Sequence, residues 1–347
     1  MKRSVKIALI VAGLLIVLGL VLMLVSAFAL GGPDRLEDQL EDYFMTNTVG
    51  ISVVEKDNGG QSYWEGYESS NIYEVETKNI NALSVNWAAG RVEIVPWAGE
   101  VIQIAEVANK EEIEEQDALR WRVDENGCLI IEDGLSRKGI TVNPLTKSLQ
   151  VMVPEELAAN WQTVHVSSAS APVIISGMTV VKLDVSTASG DMELTELTAD
   201  AVSLTAASGD IAYTGDYDRL QVSTASGDVR VESLGSPRET EIDTSSGRIE
   251  VSGECGELSL ESTSGDISAT AVTARDVDVN STSGKVELEL LNCPMELDAE
   301  TTSGNVELTL PKDSGFRLAL LCVIFQISPK VTPHRALMGR LPGEEEI

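Results

Sequence analysis

Four aspartates, Asp191, Asp210, Asp228 and Asp266, each follow a Ser-Gly pair, and their separations of 19, 18 and 38 residues put a carboxylate at one fixed point of a recurring unit. A column of carboxylates repels itself unless a cation such as Ca²⁺ neutralises it or each carboxylate caps a turn in solvent. Turn capping is the better reading: the same point carries Arg248 and Lys285 in other units, and Ca²⁺ β-rolls repeat at about nine residues with more glycine. Paired acids also cleave glycosidic bonds, but that needs two carboxyl groups flanking one oxygen. Here acids occupy exposed positions all along the array, and no pair stands out. General acid-base and metal chemistry near neutral pH draws on histidine, and the chain has two, His165 and His334. His165 lies between Val164 and Val166, so it points outward from a strand as a surface residue. Cys128, Cys255, Cys293 and Cys322 form no CxxC pair and no metal-ligand spacing. Cys255 and Cys293 hold similar corner positions two units apart, about 9.6 Å, which exceeds the roughly 7 Å reach of a disulfide. Trp64, Trp87, Trp97, Trp121 and Trp161 all precede the regular array. Exposed, they would stack on sugars; sealing one end of the fold is the better reading. The expectation is therefore a non-enzyme with no catalytic, cofactor-binding or metal-ligating residues.

What positions these residues is a repeat. Glycines at 190, 209, 227, 247, 265, 284 and 304 are spaced by 19, 18, 20, 18, 19 and 20 residues. Numbered from that glycine, apolar residues recur at −7, −5, +2 and +4, as in Leu220, Val222, Val229 and Val231, alternating with polar residues as half-buried strands do. A further apolar residue falls at +7 in four units, Leu197, Leu234, Val272 and Leu291, and is expected as a fifth inward side chain. Each unit reads as strand, Ser-Gly turn, strand, corner. One unit alone cannot bury enough apolar surface to offset the entropy of ordering it, so the copies must stack through parallel ladders. The glycine implies either a positive φ or a very tight backbone approach. Serine at −1 in all seven units, from Ser189 to Ser303, predicts hydroxyl bonds from rung to rung. Degenerate copies precede the array at Leu83 to Ile94, around Gly90, and at Val164 to Ile175, where Ala171-Pro172 replaces Gly-Asp. Residues 96–162 interrupt the period with an acidic helical stretch at Lys110 to Asp117 and a hairpin from Leu119 to Glu132 turning at Asn126-Gly127, read as an insertion or side of the same body. The fold class is all-β, a single-chain parallel β-solenoid with rungs of about 19 residues, preceded by one transmembrane helix.

The Ser-Gly-Asp rungs, the unit at Leu83 to Ile94 and an apolar N-terminal segment together resemble the bacterial putative-adhesin solenoids of the cell envelope, over roughly residues 72–320. The resemblance implies an extracytoplasmic, membrane-tethered protein of adhesion or envelope-stress signalling, and it brings no catalytic residues.

Ile7 to Leu30 carries no charge across 24 residues, about 36 Å of helix against a hydrocarbon core of about 30 Å. Lys2, Arg3 and Lys6 precede it and acids follow, which directs the N-terminus to the cytoplasm and the rest outside. Ala27-Phe28-Ala29 has the form of a signal-peptidase site, but the apolar run is far longer than a signal peptide needs, so a retained anchor is expected. The division is then a cytoplasmic tail at 1–6, a transmembrane anchor at 7–30, a juxtamembrane linker at 31–80 with a short amphipathic helix at Pro33 to Asn47, the solenoid at 81–320 and an atypical tail at 321–347. Leu318 to Ile327 is an apolar run without Ser-Gly: either the frame or natural end is altered after about 320, or an apolar terminal strand closes the last rung.

Among the 347 residues, 25 Lys and Arg stand against 55 Asp and Glu, a net charge of −30 that repels phosphate backbones and excludes nucleic acid. The functional expectation is a non-catalytic solenoid at the cell membrane, single-pass, binding a protein or cell-wall polysaccharide partner or serving an envelope-stress system. The alternative is a carbohydrate-active solenoid enzyme.

Overall fold

The computed structural model describes residues 69–108, 113, 117–134, 146–312 and 325–327, with 69–70 and 325–327 as backbone only. The expected anchor at 7–30, the amphipathic helix, Trp64, Cys322, His334 and most of the acidic stretch at 110–117 lie outside the described residues. Among those described, no helix is long and apolar enough to cross a membrane.

Strands before the Ser-Gly turn stack on one another in parallel, and so do those after it. Thr179–Thr187 lies between Trp161–Ser168 and the second half of Met192–Ala206, with Leu183 opposite both Val164 and Val202. Beyond the turn, Leu194 stands opposite Ile175 and Tyr213. The alternation read from the sequence is the alternation of burial: Leu183, Val185, Met192 and Leu194 are all buried, and their columns form one continuous core between the pre-turn and post-turn strands. An in-register parallel stack does this because each apolar side chain then lands on its equivalent one rung away.

The Ser-Gly turn is held by close approach. None of the seven array glycines has a positive φ. A Cβ on Gly209 would instead sit 2.0 Å from the carbonyl oxygen of Gly190, and one on Gly227 1.9 Å from that of Gly209. The carbonyl of each rung therefore occupies the space that a side chain on the next would need. Positive φ moves to the opposite corner, and the corner sets the length of each rung. In the 19-residue rungs one extra residue bulges out with φ of 54° at Glu196 and 55° at Ala271. In the 18-residue rungs the same position is glycine, Gly215 or Gly253, the latter with φ of 94°. In the 20-residue rungs the strand breaks after Val229–Ser233 and Val286–Leu290, and a loop, Leu-Gly-Ser-Pro-Arg or Leu-Asn-Cys-Pro-Met, leads to the next strand.

This corrects one expectation. Leu197 and Val272 at +7 are buried, but Leu234 and Leu291 are 62% and 59% exposed. In the 20-residue rungs Ser233 and Leu290, at +6, turn inward instead, and the +7 leucine opens the loop.

The N-terminal end departs from the period. The hairpin expected at Asn126-Gly127 is present: Arg120–Val123 pairs antiparallel with Cys128–Glu132, and Gly127 has φ +78°. Cys128–Glu132 and Lys147–Pro154 form an extra rung outside Ala82–Trp87 and Val92–Trp97, so spatial order differs from sequence order. Val101–Ala108 runs antiparallel along Lys147–Pro154, and Ser69–Glu76 antiparallel along Val101–Ala108. The sheet thus begins at Ser69, inside the stretch assigned to the linker. Trp87 and Trp161 are buried, Trp121 packs half-buried on the core, and Trp97 is half-buried with its Nε1 donating to Val101 O at 3.0 Å, so these four pack in the N-terminal part of the fold. At the other end Phe325–Ile327 pairs in parallel with Val306–Thr309, as a further strand on the last rung would.

Candidate functional site

The serine column does bond between rungs. Ser208 Oγ donates to Ala188 O at 3.4 Å and Ser246 Oγ to Ala225 O at 3.2 Å, so the acceptors are backbone carbonyls of the rung before. The aspartates also act across rungs. Asp191 Oδ1 accepts the N–H of Asp210 at 2.9 Å, and Asp210, Asp228 and Asp266 accept those of Asp228, Arg248 and Lys285 at 2.8 Å each. Each carboxylate is spent on capping the next turn, and Arg248 and Lys285 place positive charge in the column where it would otherwise repel itself. One further turn element escaped the sequence reading. The Ser or Thr at −3 is buried and accepts the glycine N–H, as Thr224 does from Gly227 at 3.1 Å and Ser262 from Gly265 at 2.8 Å. The signal was present, since every array unit but the one with Ala206 has a hydroxyl there.

The outward face of the pre-turn strands changes character along the axis. Up to Gln221 its charged groups are few and mixed: Lys182, Asp184 and Arg219. From Glu239 onward it carries Glu239, Glu241, Asp243, Glu257, Glu261, Asp276 and Asp278 on successive strands, continuing through Glu296, Asp298 and Glu300. Asp243 is the most perturbed of these: burial first, then Glu241 and Glu261, push its carboxyl up to about 7. A raised carboxyl beside a second acid is what a glycosidase uses. Asp243 and Glu261 are register partners on adjoining strands, about 4.8 Å apart at the backbone and leaving the sheet in the same direction. Both belong to an open ladder of acids that continues on the following strands. Two depressions open on the outward faces, one over Lys182, Ser203, Arg219 and Glu241, another over Asp191, Asp210, Asp228 and Arg230. His165 is outward, its Nδ1 3.5 Å from Asp184 Oδ2. Cys128, Cys255 and Cys293 are unpaired, with Cys255 buried, its thiol raised to about 12 by desolvation, and Cys293 exposed in a corner loop.

The family described as Toastrack DUF4097 matches residues 80–317. Solved structures similar to the chain include a putative adhesin from Parabacteroides distasonis, at 15% identity and TM-score 0.49 over 70% of this chain and 98% of that one. A putative adhesin from Bacteroides fragilis is similar at 12% identity and TM-score 0.40, over 70% and 98%. A putative lipid binding protein from Parabacteroides distasonis is similar at 15% identity and TM-score 0.40, over 68% and 96%. No curated protein matches.

Proposed function

The chain belongs to the Toastrack DUF4097 family, and from that premise we propose that it is a non-catalytic solenoid, anchored by residues 7–30 in the cell membrane with residues 31–347 outside, that binds a protein or cell-wall polysaccharide partner or serves an envelope-stress system. The observation that supports binding over catalysis is the form of the outward faces. They are flat ladders in which equivalent side chains lie alongside one another from rung to rung, a form suited to a repetitive partner and unsuited to enclosing one reacting bond. The apolar segment at 7–30, with its basic flank before and acidic flank after, supports the topology. Protease added to intact cells stripped of any outer barrier is expected to degrade residues 31–347 and leave a small membrane-bound stub, whereas full protection would overturn the outside placement. Binding is tested by passing the solenoid over its own cell-wall polysaccharide and envelope proteins. Retention on one of them without any change in its covalent structure is expected, and cleavage of the polysaccharide would return the carbohydrate-active reading.

A further inference from the structure

The N-terminal end holds a buried charge cluster that the binding proposal does not use. Lys147, the first residue of its strand, is wholly buried. Its Nζ lies 2.7 Å from Asp133 Oδ1 and 2.8 Å from Glu106 Oε1, and it also donates to the carbonyl of Asp117. The side chains of Lys147 and Glu106 are 0% exposed and that of Asp133 is 6% exposed. The Trp87 ring covers the ammonium with its centroid 5.3 Å away. Glu106 Oε1 is held by the N–H of Leu119 at 2.9 Å, and Asp133 Oδ2 by the N–H of Ala88 at 3.3 Å. One ammonium thus faces two carboxylates where water is excluded, and ions cost most to keep there.

We propose that Lys147 and Asp133 condense into an intramolecular amide, with Glu106 as the proton relay. One ammonium proton passes through Glu106 to Asp133 Oδ1, and the freed amine attacks Cγ. As the Nζ–Cγ bond forms, the negative charge falls on Oδ2, facing the Ala88 N–H. A second amine proton follows through Glu106 to Oδ1, the Cγ–Oδ1 bond breaks, and Oδ1 leaves as water. Ammonium and carboxylate become amide and water, Glu106 is regenerated, and no oxidant, reductant or co-reactant enters. Three features drive the step. The groups are already in contact, and well-oriented intramolecular reactions reach effective concentrations of about 10⁵–10⁸ M. The burial of all three side chains opposes the entry of water that would reverse it. The product removes two buried charges. The bond would join the end of Cys128–Glu132 to the start of Lys147–Pro154, closing covalently the outermost rung at the end where the chain enters the solenoid.

A tryptic digest of the full-length protein tests this, because an amide at Lys147 blocks cleavage there. The expected product is residues 123–137 joined to residues 139–182, lighter than the two separate peptides by one water. Asp133→Asn should keep the link, formed by loss of ammonia, and Asp133→Ala and Lys147→Arg should lack it. Glu106→Gln, shown to be folded by circular dichroism, should lose more than nine-tenths of it. Folded wild-type protein cut freely after Lys147, with Asp133 unmodified, would overturn the proposal, and undiminished linkage in folded Glu106→Gln would overturn the relay. If Glu106→Gln does not fold, the wild-type digest still decides the bond itself.

Discussion

At the Ser-Gly turn the chain bends against the rung beneath it, and at the opposite corner it bends by whichever of three means its length allows. The turn is uniform because the Gly227 Cα faces the Gly209 carbonyl with no room for a methyl group, while Ser226, Thr224 and Asp228 each supply one fixed hydrogen bond. The corner varies because a bulge with positive φ at Glu196, a glycine at Gly253 and a loop opened by Leu234 all return the chain to the same parallel register. One bend fixes the stacking distance and the other absorbs length. The corner is strict only where it is shortest: a Cβ on Gly253 would sit 2.2 Å from the Ser233 carbonyl oxygen.

Substitutions should therefore act unequally at the two bends. The largest effect is expected from Gly227→Val, which forces a backbone carbonyl aside and should cost about 3 kcal/mol or more in denaturant unfolding. At the corner the sign reverses. Glu196→Gly relieves a left-handed residue and should stabilise by about 0.5–1 kcal/mol in the same assay, so a loss there would mean that the bulge is held by its side chain. Asp228→Ala removes the cap on the Arg248 N–H, which solvent can partly replace, and should cost about 0.5–1.5 kcal/mol.

The pH dependence sharpens the contrast between the two ends of the pre-turn face. Burial, then Glu241 and Glu261, push the folded carboxyl of Asp243 up to about 7 from its ordinary 3.8, so the folded state holds a proton that the unfolded chain releases between these values. The contribution of Asp243 to stability is thus fully present below about 4 and is lost as pH rises through about 7. Asp243→Asn should flatten that fall and raise the melting temperature at pH 8, while Ser203→Asn at the mixed end should leave the profile unchanged. The smallest effect is expected from one glycine inserted after Ser236, in a loop that already carries extra length: less than about 0.5 kcal/mol.

Much of this was legible because a repeat displays its own register. The glycine phase placed Leu183, Val185, Met192 and Leu194 in the core, and Asn126-Gly127 announced its hairpin. Leu234 and Leu291 were misread because residue type alone does not reveal which way a corner turns; the 20-residue spacing of their rungs carried that information. The Lys147 cluster had no sequence signal at all. Its partners lie 41 and 14 residues away along the chain, on an irregular insertion whose rung stacks outside the one preceding it in sequence. No periodicity reports such a contact.

The claim that the turn is strict and the corner tolerant is tested most directly by native-state amide hydrogen exchange on two proteins, Gly227→Val and the single-glycine insertion after Ser236. Gly227→Val should strip protection from its own rung and from the rungs of Gly209 and Gly247, leaving distant rungs protected, and the insertion should affect only its own loop. Equal loss of protection from the two changes, or a negligible effect from Gly227→Val, would contradict it.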